Sequence, residues 1–177
     1  ELLDDHIMWA KFSGAAWQGD GFYYSAYDAP VKGHEYSNVN AVQKIYYHKI
    51  GTPQSEDQLF YQNPANPMRF YSVSTIGDKM YFLTNDGAPK NRLMVTDMEH
   101  PGFNEWKTLV PESKDMLEDV TFVDGKMILN YMKDASNHAY VYSIDGKQLS
   151  EIKLPTVGSA AFYGDKDRKE IFYSFSS

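Results

Sequence analysis

The chain has 177 residues, 42% hydrophobic and 23% charged, a balance that supports a substantial globular core. A net charge of −7 with no Lys/Arg-rich run argues against nucleic acid or an anionic membrane as partner, because both demand concentrated positive charge. No stretch approaches the roughly 18 apolar residues of a membrane span, and no basic-plus-apolar signal segment opens the chain. The absence of Cys excludes disulfides, thiolate metal sites and a Cys nucleophile, while leaving the compartment, cytoplasmic or periplasmic, open.

Residues 1–6 are polar and read as the tail of a preceding segment, so a fragment is expected. Residues 11–17 then form a strand with small side chains, Gly19-Asp20-Gly21 turns, and residues 22–27 are an aromatic strand. A long loop over 28–40, carrying His34 and Glu35, precedes the strands predicted at 43–50 and 58–62. Two Asn-Pro steps within 63–67 forbid regular structure and mark a crossover. Strands follow at 69–76, 79–85, 92–96 and 105–110. The segment 117–155 repeats the plan: a strand at 117–123, an Asp124-Gly125 turn, a nearly continuous apolar strand at 126–132 and a polar loop at 133–137. A Tyr/Val strand at 138–144, an Asp145-Gly146 turn and a mixed strand at 148–154, stopped by Pro155, complete it. Residues 159–163 and 169–177 begin another set.

One such segment fits either a propeller blade or a meander of a sandwich or barrel. Repetition separates them. Lys79-Met80 and Lys126-Met127 both open second strands, Asn85-Asp86 and Lys133-Asp134 both end them, and Asp97 and Asp145 both close third strands. These offsets are about 47 or 48 residues, within the roughly 40–50 of propeller repeats. The expected fold is therefore all-β, a partial β-propeller of four-stranded antiparallel blades at about 7–62, 69–110 and 117–155, with another starting at 159–177. About three blades cannot close a ring, so further blades or a covering partner are expected.

The motifs of common catalytic sites are missing: no Gly-x-Ser-x-Gly elbow, phosphate loop, dinucleotide fingerprint, zinc His-Glu-x-x-His or calcium loop. His6, His34, His48, His100 and His138 are scattered without ligand spacing and read as surface or strand residues. Asp165 and Asp167 read as a solvated turn after Gly164, and Glu56-Asp57 as a polar turn. No catalytic residue, metal ligand or cofactor is expected within this chain. Aromatic residues make up 15%, with 14 Tyr, which suits sheet packing and would also suit a peptide- or sugar-binding surface.

Particular strings carry more than patterns do. Lys11-Phe12-Ser13 with Trp17, Lys44-Ile45-Tyr46-Tyr47-His48, Gly51-Thr52 followed by Gln54-Ser55-Glu56-Asp57, Asn91-Arg92-Leu93, Trp106-Lys107 with Leu109-Val110-Pro111-Glu112, and Glu170-Ile171-Phe172-Tyr173-Ser174-Phe175 occur in order along nearly the whole chain. Together they resemble the propeller domain of the prolyl oligopeptidase (prolyl endopeptidase) family. The resemblance implies a seven-bladed propeller covering an α/β-hydrolase domain in the same polypeptide, in a serine peptidase that cleaves oligopeptides after proline. It places the catalytic triad in the hydrolase domain, absent from this stretch, and gives the propeller the role of lid and size filter. Family propellers also lend apolar side chains to the outer substrate pocket. Phe12 matches one such position and Phe70 falls where another occurs; plain core packing is the competing reading for both. After the Asn-Pro linker the family has a further blade, so one repeat is missing between Phe70 and Tyr71. The rival function is a non-enzymatic propeller binding module, recognising a peptide or glycan through its aromatic surface and His34 loop.

Overall fold

The computed structural model describes residues 5–34, 37, 39–99 and 102–177. Glu35 and His100, and most of the polar opening segment, lie outside the described residues. Among the described residues there are fourteen strands: β1 (Ala16–Gln18), β2 (Gly21–Ala26), β3 (Lys44–Lys49), β4 (Gln58–Gln62), β5 (Tyr71–Ile76), β6 (Lys79–Thr84), β7 (Arg92–Asp97), β8 (Lys107–Val110), β9 (Met116–Val123), β10 (Lys126–Lys133), β11 (Ser136–Ser143), β12 (Gln148–Ile152), β13 (Ser159–Gly164) and β14 (Ile171–Ser176). They order themselves as β1-β2-β3-β4, β5-β6-β7-β8 and β9-β10-β11-β12, plus the pair β13-β14. Each sheet is built from strands consecutive in the chain, as tight turns between neighbouring strands dictate.

The chain divides into two compact units, Glu1–Asp86 with Val95–Trp106, and Gly87–Met94 with Lys107–Ser177. In the first, β6 is buried along almost its whole length, with Met80 and Phe82 fully enclosed. Phe82 stacks on Trp106 with ring centroids 3.7 Å apart, and Tyr61 packs against both Tyr71 and Trp106. In the second unit β10 plays the same part, with Met127 and Leu129 fully buried. Val123, Ile128, Ala139, Ala160 and Phe162 form a continuous cluster there, extended by Ile171 and Phe175 of β14. The outer strand β12 is exposed nearly throughout. This gradient from enclosed second strand to wet fourth strand suits blades whose inner strands are sandwiched by neighbours.

Several element bounds differ from the sequence expectation for identifiable reasons. The strand expected over 11–17 begins only at Ala16, because Trp9 and Phe12 hold left-handed backbone (φ 61° and 56°) that interrupts an extended run. The loop expected over 133–137 is a two-residue turn: Asp134 and Ala135 both have positive φ, and Lys133 pairs directly with Ser136. Residues 69 and 70 stand outside β5, since the Phe70 N–H is taken by the Asn85 side chain at 3.0 Å rather than by a strand. The stretch predicted as strand from Glu105 starts at Lys107, after a single 3-10 turn over Phe103–Glu105.

Candidate functional site

Phe12 sits in a short loop ahead of β1 that is fastened to β2 at several points. Ala10 bridges to Ala26, the Tyr27 N–H donates to the Trp9 carbonyl at 3.2 Å, and the Ser25 N–H donates to Ser13 Oγ at 2.7 Å. Lys11 Nζ reaches Asn40 Oδ1 at 2.9 Å. The loop is anchored, yet Phe12 is 82% exposed. Left-handed backbone at a non-glycine residue costs about 1–2 kcal/mol, and here it holds a large apolar side chain in solvent. Core packing does not describe Phe12.

Phe70 stands directly ahead of β5 and is half-buried. Its backbone is held on both sides by the end of β6: the N–H by Asn85 Oδ1, and the carbonyl by Thr84 Oγ1 at 2.6 Å. Asp86 fastens the approach to it, accepting from Tyr71 OH at 2.8 Å and from Asn63 Nδ2 at 3.2 Å. The Asn-Pro linker is therefore tied down. Phe12 lies four residues ahead of β1, whereas Phe70 immediately precedes β5.

The most concentrated polar network was not legible as a network in the sequence. His48 on β3 is fully buried, with Nδ1 2.7 Å from Asp57 Oδ1 and Nε2 3.1 Å from Asp5 Oδ1. Asp57, expected in a wet polar turn, has a side chain only 2% exposed, and Tyr24 OH donates to its second oxygen at 2.6 Å. Gln54 Nε2 donates to the same Tyr24 hydroxyl at 3.2 Å and to the Met8 carbonyl at 3.0 Å. Burial disfavours the imidazolium, but the hydrogen bonds and charges of Asp57 and Asp5 outweigh it and raise the His48 pKa. Asp5 is lowered, chiefly by the Gly51 N–H it accepts. Burial and the bond to Asp57 push the Tyr24 hydroxyl far up. Both ring nitrogens of His48 face carboxylates, so neither can take a proton from a nucleophile; this is a clasp rather than a general base. The sequence signal was present in the spacing of His48, Gln54 and Asp57, but a lone His and an acidic pair do not reveal their mutual geometry.

The acidic pair Asp165 and Asp167 forms the turn expected of it, the Asp167 N–H donating to Asp165 Oδ1 at 2.8 Å. Among the described residues no group of three or more His, Asp or Glu is placed to hold a metal. His34 bonds locally to Ser37.

Comparison with known proteins resolves the affiliation. The model of the prolyl oligopeptidase N-terminal β-propeller domain matches residues 1–75 and 69–177. The chain belongs to the prolyl oligopeptidase family. A prolyl endopeptidase of Elizabethkingia meningoseptica is 30% identical over 224 aligned positions, covering 99% of this chain and 32% of that protein. Prolyl oligopeptidase A of Galerina marginata is 25% identical, covering 96% of this chain and 31% of its own length. The chain thus spans about a third of the length of these relatives. Among solved structures, one from a study of two prolyl endopeptidases and their inter-domain dynamics superposes with a TM-score of 0.58 at 28% identity, over 99% of this chain and 32% of that one. Prolyl oligopeptidase B of Galerina marginata, bound to a 25-residue macrocyclization substrate, gives 0.57 at 22% identity over 98% of this chain and 32% of that one, a likeness of fold. The all-β propeller expected from the repeat is the fold of this family domain.

Proposed function

We propose that this chain is the lid and size filter of a serine peptidase that cleaves oligopeptides after proline, working against an α/β-hydrolase domain of the same polypeptide. Its blades are taken as 7–62, 69–110 and 117–155, with another begun at 159–177. The observation that carries the reading is the match to the family's propeller domain along the whole chain. The net charge of −7 is consistent with a peptide partner and unsuited to nucleic acid or an anionic membrane.

Within this role Phe12 and Phe70 supply apolar surface to the outer substrate pocket. An anchored, strained loop presenting an exposed Phe supports the assignment for Phe12, and the doubly held backbone supports it for Phe70. A pocket residue must be both rigid and accessible, and Phe12 is both. The test is Phe12→Ala in the full-length peptidase. The expected result is a KM for prolyl peptides raised about 5- to 30-fold with kcat little changed, equivalent to about 1–2 kcal/mol of lost apolar contact. Unchanged kinetics would remove Phe12 from the pocket.

A further inference from the structure

At three places in the chain, one residue of a sheet's first strand is clamped at both its N–H and its carbonyl by the preceding sheet. At Ala160 of β13, the N–H donates to Asn137 Oδ1 at 2.7 Å and the carbonyl accepts from Asn130 Nδ2 at 2.8 Å. At Leu117 of β9, the N–H donates to the Lys90 carbonyl at 3.0 Å and the carbonyl accepts from Asn91 Nδ2 at 2.7 Å. At Tyr71 of β5, the N–H donates to Gln43 Oε1 at 2.6 Å and the carbonyl accepts from Ser25 Oγ at 2.9 Å. Gln43, Asn91 and Asn137 are all buried and all stand at the entrance to a third strand, immediately before β3, immediately before β7 and at the second residue of β11. The clamped residues lie 46 and 43 positions apart, and Gln43, Asn91 and Asn137 48 and 46 apart, close to the spacing of the repeat.

The clamp at Tyr71 lies where the comparison with relatives shows a break. The alignment to the Elizabethkingia meningoseptica enzyme runs over 224 positions against a chain of 177, so at least 47 of them, 224 less 177, have no residue of this chain opposite. That is about one blade. The family pattern fits in two pieces, and the pieces meet at 69–75.

We infer that β1–β4 and β5–β8 are directly consecutive blades, without the repeat that relatives carry within this stretch, and that Gln43 and Ser25 close the shortened junction. The joint carries the full set of contacts of an ordinary blade boundary. Thr75 Oγ1 donates to the Trp17 carbonyl at 2.7 Å, Tyr71 is almost wholly enclosed, and Phe60 stacks toward Phe82. Among the described residues, the buried side-chain atoms lacking a partner are on Asp5, Arg92 and Asn130, none of them at this joint. A deletion that left two unmatched faces would strand polar groups such as Gln43, whose burial without a partner is costly.

Hydrogen exchange of the Tyr71 amide tests the junction without reference to peptidase activity. β5 is an edge strand with β6 as its strand neighbour, so without the preceding blade the outward N–H of Tyr71 meets water. Tyr71 is expected to exchange as slowly, within about tenfold, as the Leu117 and Ala160 amides, and Gln43→Ala to accelerate it at least tenfold while leaving Ala160 unchanged. A wild-type Tyr71 amide exchanging at the rate of an exposed edge, with Leu117 and Ala160 protected, would overturn the inference. The wild-type comparison stands even where Gln43→Ala does not fold.

Discussion

His48 Nδ1 and Asp57 Oδ1 lie 2.7 Å apart with both side chains out of solvent, and Asp5 closes the other side of the imidazole at 3.1 Å. The pair ties the third strand of the first sheet to the start of its fourth. Because the folded pKa of His48 is raised above its ordinary 6.5, its contribution is full below that value and is lost as pH rises through the higher folded one. Asp5, lowered below 3.8, contributes above that value and loses its share as pH falls through the lower folded one. The thermal midpoint is therefore expected to fall as pH rises above 6.5, and His48→Gln to flatten that slope. A scan of Tm against pH on both proteins measures it; identical slopes would show that the clasp does not titrate.

Trp106 stacks on Phe82 at 3.7 Å with ring planes 8° apart, while Tyr61 and Phe103 pack against it. Truncation removes one of the largest buried surfaces of the first unit. Trp106→Ala is expected to lose about 3–5 kcal/mol in denaturant unfolding, and Trp106→Phe distinctly less, since a ring still faces Phe82.

Gly21 is small because of closeness rather than backbone angle. A Cβ there would stand 2.0 Å from the His48 carbonyl oxygen and 2.9 Å from the Tyr47 ring. Gly21→Ala must push β2 and β3 apart beside the histidine clasp, with an expected loss of about 1–3 kcal/mol or more. Its unfolding midpoint in urea is the measurement, with Gly14→Ala, where a Cβ meets nothing, as the unaffected control.

Asn137 uses both ends of its amide, accepting from the Ala160 N–H and donating to Glu118 Oε2 at 2.9 Å. Asn137→Asp keeps the acceptor but sets a carboxylate against Glu118. It is expected to cost about 1–3 kcal/mol at neutral pH, and to recover part of that loss as the medium is acidified. A loss independent of pH would show that repulsion from Glu118 is not its source.

The fold was readable because two-residue turns at Gly77-Asp78 and Asp124-Gly125 and near-continuous apolar second strands, at 79–85 and 126–132, mark the second and third sheets locally. Local signals misplaced the bounds where backbone geometry was unusual. Ala135 at positive φ turns residues expected as a loop into a tight hairpin, and Phe12 at positive φ removes most of an expected strand. The clasp was hidden for a different reason: Asp5 lies 43 residues from His48, so their contact is fixed by the assembled sheet and not by any spacing along the chain. Asp57 read as part of a polar turn because it follows the polar run Gln54-Ser55-Glu56.

The central claim, a propeller that filters peptides for a prolyl-specific peptidase, is tested most directly by a length series on the full-length polypeptide. The measurement is kcat/KM for one Pro-containing sequence presented as a short peptide, as progressively longer peptides, and within a folded protein. Cleavage after Pro in the short peptides, falling steeply with length and absent from the folded protein, is the expected result. Equal cleavage at every length, or none at any, would contradict the account.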